Sequence, residues 1–201
     1  MVGQPLPVPA TSGLKPMPSN LKNMIAFQIG WFACVLGAAH ALPWLGPLFA
    51  LAIISLHLRQ AGDGQKELTL IAIIGTCGSV FDQLLLSLGW IQYPPHAWPA
   101  WLLPLWMLCL WLLFATTLNI SLRWMRSKHL LAMLFGLLGG PLAYLAGQKL
   151  GAMQLVAQTN TLIALAVFWG LMMPVMLRLA SVFDGFTQKT ANQDSSGIQH
   201  V

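Results

Sequence analysis

Residues 68–89, LTLIAIIGTCGSVFDQLLLSLG, decide the fold. A helix needs about 20 mainly apolar residues to cross a bilayer, and this stretch has them. It also carries Asp82 well inside. A carboxylate at that depth costs roughly 2.5–3.5 kcal/mol on insertion scales, so it belongs against protein or a wet cavity rather than against lipid. Ala72, Gly75, Ser79 and Asp82 follow one another at helical spacing and place the acid on a stripe of small residues. Small residues let membrane helices approach closely. The stretch therefore reads as the packed centre of a membrane bundle.

Composition extends that reading to the whole chain. Of 201 residues, 57% are hydrophobic and 7% charged, with mean hydropathy +0.69. Soluble domains carry about 25% charged residues, so an integral membrane protein without a separate soluble domain is expected. The formal charge of +5 comes from ten dispersed Lys and Arg lying between apolar blocks. They read as topology signals, not as a nucleic-acid surface. The nine tryptophans fit interfacial belts. Cys34, Cys77 and Cys109 are isolated in apolar runs with no CxxC pair, so they read as small apolar fillers.

Taken in order, residues 1–20 hold five prolines and no apolar periodicity, as in a disordered cytoplasmic tail. Spans are expected at about residues 24–41, 43–58, 68–89, 100–120, 130–148 and 160–180, followed by a polar, disordered cytoplasmic tail over 181–201. Ala39-His40-Ala41 has the form of a signal-peptidase site, but a long proline-rich leader and Gln28 in the would-be apolar core argue against cleavage. Pro141 and Pro174 predict kinks in the last two spans. Gly136-x-x-x-Gly140 serves close packing, either within the chain or between two copies. With the N-terminus inside, Lys15, Lys22, Arg59, Lys66, Arg123, Arg126, Lys128, Arg178 and Lys189 fall on the inner side and Lys149 alone on the outer. The expected fold is thus an all-α polytopic membrane bundle of six transmembrane helices, both ends cytoplasmic.

Depth decides which polar groups can meet. Asp82 lies about 22 Å along its helix from Glu67, in the outer part of the membrane. Tyr144 matches it best, and an outer pocket of Asp82 and Tyr144 is expected, with Lys149 or Gln148 at its mouth and His40 nearby. Asp82 there is either a proton-carrying functional group or a structural hydrogen bond between spans. A second group, Gln28, His57, Glu67, Thr116, Asn119 and Arg123, with His129 as a further candidate, falls at the inner side, where a lipid head or a soluble partner could dock. Its plain alternative is satisfaction of helix ends with snorkelling arginine. The five histidines form no HxxH cluster, and HExxH, P-loop and GxSxG motifs are missing. No metal and no cofactor are implied.

Several of these segments look familiar together. Phe27-Gln28 with Trp31-Phe32, Asp82, the run from Trp101 through Trp106 to FATTLN at 114–119, and Gly139-Gly140-Pro141-Leu142-Ala143-Tyr144 with Gly147 and Leu150-Gly151-Ala152 resemble a small proteobacterial inner-membrane family catalogued as a domain of unknown function. The resemblance covers about residues 21–180, and its most specific piece is the GGPLAY block. It implies the bacterial inner membrane and brings no established activity. The resemblance implies a gene neighbourhood that often holds cyclopropane-fatty-acid-synthase-like enzymes and other lipid-modifying oxidoreductases. That implies an accessory or anchor protein in membrane-lipid modification, with the bilayer, a cytoplasmic enzyme and a second copy as partners. The alternatives are a small proton-coupled transporter and a membrane-embedded lipid or isoprenoid enzyme using Asp82.

Overall fold

The computed structural model describes residues 19–95 and 99–187. The proline-rich N-terminal segment up to residue 18, His96, Trp98 and the chain beyond residue 187 lie outside the described residues. Six helices follow in order: α1 (Ser19–Ala39), α2 (Leu45–Gln60), α3 (Gly64–Ser87), α4 (Leu105–Leu118), α5 (His129–Lys149) and α6 (Gln158–Val182). A 3-10 turn at Arg123–Met125 links α4 to α5. The starts of α1, α3 and α5 lie with the ends of α2, α4 and α6, so the helices alternate up and down.

Helices α1, α3, α5 and α6 are long and apolar enough to cross a membrane. Their outward residues, among them Ile29, Val80, Leu138, Leu142 and Leu171, are exposed and apolar. An exposed apolar surface of that extent faces lipid. Helices α2 and α4 have 16 and 14 residues, about 24 and 21 Å long against a hydrocarbon core of about 30 Å. The expected span over residues 100–120 is shorter because Pro104, itself extended (ψ 141°), disfavours helix at the residue before it. Much of α4 is buried, wrapped by α1, α2 and α3, so it has little need to match the lipid.

Opposite the polar end of the bundle, α3 and α5 terminate alike. Gly89 (φ 69°) and Gly151 (φ 87°) take the left-handed conformation. The next backbone N–H groups reach back, Trp90 to the Leu85 carbonyl and Ala152 to that of Gly147. This is the Schellman closure, for which glycine is the least strained residue. Each chain then enters a two-residue strand, β1 (Ile91–Gln92) and β2 (Gln154–Leu155). They pair antiparallel, Ile91 opposite Leu155.

The buried face of α3 runs through Glu67, Ile71, Gly75, Gly78 and Asp82. The expected stripe is therefore rotated: Ala72 is exposed and Ser79 half-buried. Trp111 explains the rotation. Its ring lies so close to α3 that a Cβ on Gly78 would come within 2.0 Å of it, so only glycine fits there. Glycine sets the α5–α6 seam as well. A Cβ at Gly136 would meet the Trp169 carbonyl oxygen at 2.2 Å, and one at Gly140 the Trp169 ring at 2.3 Å. The GxxxG pair thus packs within the chain. Both helices continue unbroken through Pro141 and Pro174.

The polar run expected as a tail from residue 181 begins as structure. Helix α6 extends to Val182, and the Gly185 carbonyl accepts from the N–H groups of Gly62 and Asp63 at 2.8 and 2.9 Å. Residues 183–187 fold across the start of α3, where Gly185 meets the Gly62 and Asp63 N–H groups and the buried Glu67 carboxylate.

Candidate functional site

Asp82 is fully buried and accepts two hydrogen bonds. Tyr144 Oη of α5 donates to Oδ1 at 2.5 Å, and Trp111 Nε1 of α4 donates to Oδ2 at 2.6 Å. Tyr93, just past β1, packs edge-on against Trp106 of α4, and its hydroxyl is buried without a partner. One side chain thus joins three helices. The expected pairing with Tyr144 is present; Trp111 was not foreseen, because a tryptophan in an apolar run reads as packing.

The rest of the expected outer pocket lies elsewhere. Lys149 is exposed at the end of α5. Gln148 turns its Oε1 to the Leu155 N–H at 3.1 Å and so braces β2. His40 is exposed, with Nδ1 against the Leu36 carbonyl at 3.0 Å. The reason is local: the backbone that leaves α5 and α1 at their ends uses these polar groups, and α5 points Lys149 away from the bundle.

Trp111 and Tyr144 also face a cleft. Helices α1 and α5 stand on either side of α4, and a cavity of about 370 Å³ opens between them. Its floor is aromatic. Trp111 stacks on Trp169 at 4.6 Å, and Phe114 meets Trp169 edge-on at 5.0 Å. Gly139 and Leu142 line one wall, Phe27 and Trp31 the other. Gln28, expected in the inner polar group, lines this cleft instead. Trp169 Nε1 is buried without a hydrogen-bond partner. Asp82 does not line the cleft; it stands behind, holding Trp111 and Tyr144.

The inner group assembles around Glu67, which is fully buried. His57 Nε2 lies 2.8 Å from Oε2, while Asn119 Nδ2 and the Gly185 N–H donate to Oε1 at 2.5 and 2.8 Å. Asn119 in turn accepts at Oδ1 from Arg126. Arg123 and Arg126 both clamp Asp184, at 2.6 and 2.8 Å. Burial alone would raise the Asp184 carboxyl, but hydrogen bonds from Arg126, the Phe186 backbone and Thr187, with the Arg123 charge, hold it below the usual carboxylate range. His57, Asn119 and Arg123 thus meet as expected. Thr116 stands apart, its hydroxyl on the Leu113 carbonyl. Asp184 and Arg126 complete the network, and Asp184 carries no mark in the sequence because it lies past the last apolar span, in the polar run.

Four long apolar helices, with two shorter ones packed among them, define a multi-pass membrane protein with a helical-bundle fold. Over residues 20–175 the chain matches the family described as "Protein of unknown function (DUF2878)", and it belongs to that family. No curated protein and no solved structure matches it.

Proposed function

We propose that this is a six-span protein of the bacterial inner membrane, both ends cytoplasmic, that takes the apolar chain of a membrane lipid into the aromatic cleft and serves membrane-lipid modification beside a cytoplasmic enzyme. The observation that carries it is the cleft. Its walls are aromatic and aliphatic, it opens on the lipid-facing side, and the Trp169 N–H stands buried beside it with no acceptor. A chain bearing a carbonyl or ester oxygen supplies both the contact area and the missing acceptor. Orientation is supported by Lys22, Arg59, Lys66, Arg123, Arg126 and Arg178 standing at one end and Lys149 at the other.

Gly139 gives the test. A Cβ there meets nothing nearer than Phe135 Cε1 at 4.0 Å. Gly139→Leu therefore fills the cleft without disturbing the seam. Mass spectrometry of lipid retained through purification in mild detergent should find a bound species on the wild-type chain and not on the variant. Equal lipid on both, at the level of bulk solvation, overturns the reading.

A second reading has one observation of its own: Tyr144 lines the cleft while bonded to Asp82. In a membrane-embedded lipid enzyme the Tyr144 hydroxyl would touch the substrate and Asp82 would position it. Tyr144→Phe would then abolish product formation in vesicles while lipid retention persists. Transport gains less support, since the broken helices that mark many transport sites are not found at Pro141 or Pro174.

A further inference from the structure

A second cavity, of about 740 Å³, opens at the other end of α1, beside the Glu67 network and away from the aromatic cleft. Lys22 and Asn23 of α1, His57 of α2 and Arg123 border it, and no carboxylate does so among the described residues. Ile53, Leu56 and Phe186 supply an apolar side. His57 is the informative group. Its side chain is 3% exposed. Its Nε2 is committed to Glu67, and its Nδ1 is buried with no partner. With Asn119 and Gly185 also donating to Glu67, the ring presents Nε2–H to that carboxylate. Nδ1 is left to accept from a ligand hydroxyl, such as one on the headgroup or on the phosphate itself. Arg123 reaches Asp184 through Nη2 and the Asn119 carbonyl through Nε, so neither bond uses Nη1. Asp184 is shared by two guanidinium groups, which leaves the cavity rim positively charged.

We infer that this cavity is a binding site for a phosphate ester, with Lys22 and Arg123 as the charge partners and His57 Nδ1 as the third contact. A carboxylate-free rim with two cations is what an anion requires, and the unmet imidazole nitrogen is a polar position the fold leaves for a ligand. Two sources share this chemistry. The apolar side suits the headgroup and upper chain of an anionic phospholipid; a free phosphate would use the polar side alone.

The test uses the full chain purified in an uncharged maltoside detergent. Phosphatidylglycerol binding is read by native mass spectrometry, and inorganic phosphate by the shift in Tm. Retention of phosphatidylglycerol without a response to phosphate assigns a lipid headgroup; a saturable Tm rise with phosphate assigns the free anion. In either case Lys22→Gln should weaken binding about tenfold. Lys22 is exposed on α1, so this variant keeps the Glu67 network intact. Arg59→Gln removes the same charge at the same end outside the cavity and should change little, and Gly139→Leu should leave this binding in place whatever it does at the cleft. Binding of neither probe overturns the inference, as does equal weakening by Arg59→Gln and Lys22→Gln.

Discussion

Asp82 receives two donors and no cation, which makes it a tie between helices before anything else. Hydrogen bonds between membrane helices average about 0.6 kcal/mol and reach about 1.7; bonds to a charged group in a dry site sit at the upper end. Asp82→Asn keeps one acceptor oxygen and turns an amide toward the other donor. Chemical unfolding in detergent should show it about 1–3 kcal/mol less stable than wild type. Asp82→Leu should cost more, since the Trp111 and Tyr144 donors would both be stranded in the interior. Tyr144→Phe removes one bond of the two and should cost least. If Asp82→Asn unfolds like the wild type, the tie is not what keeps an acid at this position, and proton chemistry becomes the better account of it. This pairing was legible from depth along two helices, because Asp82 and Tyr144 are the polar groups that match in height. The Trp111 contact was not, because nine tryptophans in an apolar chain carry no mark of which one turns its N–H inward.

Among the elements, the α5–α6 hairpin is held by close approach at two glycines of α5, Gly136 against the Trp169 backbone and Gly140 against the Trp169 ring. The obstacle facing Gly136 is a carbonyl oxygen, which cannot swing aside as a side-chain tip can. Gly136→Ala and Gly140→Ala should therefore each destabilise by about 1–3 kcal/mol through overpacking. Gly139→Ala, one position from the seam, should be neutral or gain up to about 1 kcal/mol from better helix propensity. Thermal unfolding of the three variants in one detergent checks the contrast, and equal losses would mean that the seam is not where these contacts place it. The GxxxG spacing was readable in the sequence, but its partner was not, since the motif says only that something comes close. The short helices were half legible. Pro104 marks where α4 begins, whereas the two-residue strands have no length over which a period could declare itself.

At the scale of the molecule, the two ends of the bundle are closed differently. One end uses backbone turns and a short ladder; the other uses an ion network that recruits residues 183–187 from beyond the last helix. Such a polar run reads as tail by composition, and only the half-buried cations of Arg123 and Arg126 reveal that it has a destination. Because Asp184 has its carboxyl held low by these arginines, the network contributes stability at neutral pH and loses it as pH falls through the depressed value, below about 3.9. Tm measured from pH 7 downward should fall less steeply for Asp184→Asn than for wild type across that acidic range; parallel curves would show that Asp184 adds nothing. The same asymmetry of ends bears on orientation. Cations cluster at the ion-network end, so that end should face the cytoplasm. In intact cells, a membrane-impermeant maleimide should label Lys149→Cys, while Lys66→Cys should react only after lysis, each compared with the unsubstituted chain to account for exposed Cys77. The reverse pattern would turn the molecule over and put the phosphate-ester cavity on the outer face, where a cytoplasmic enzyme could not meet it.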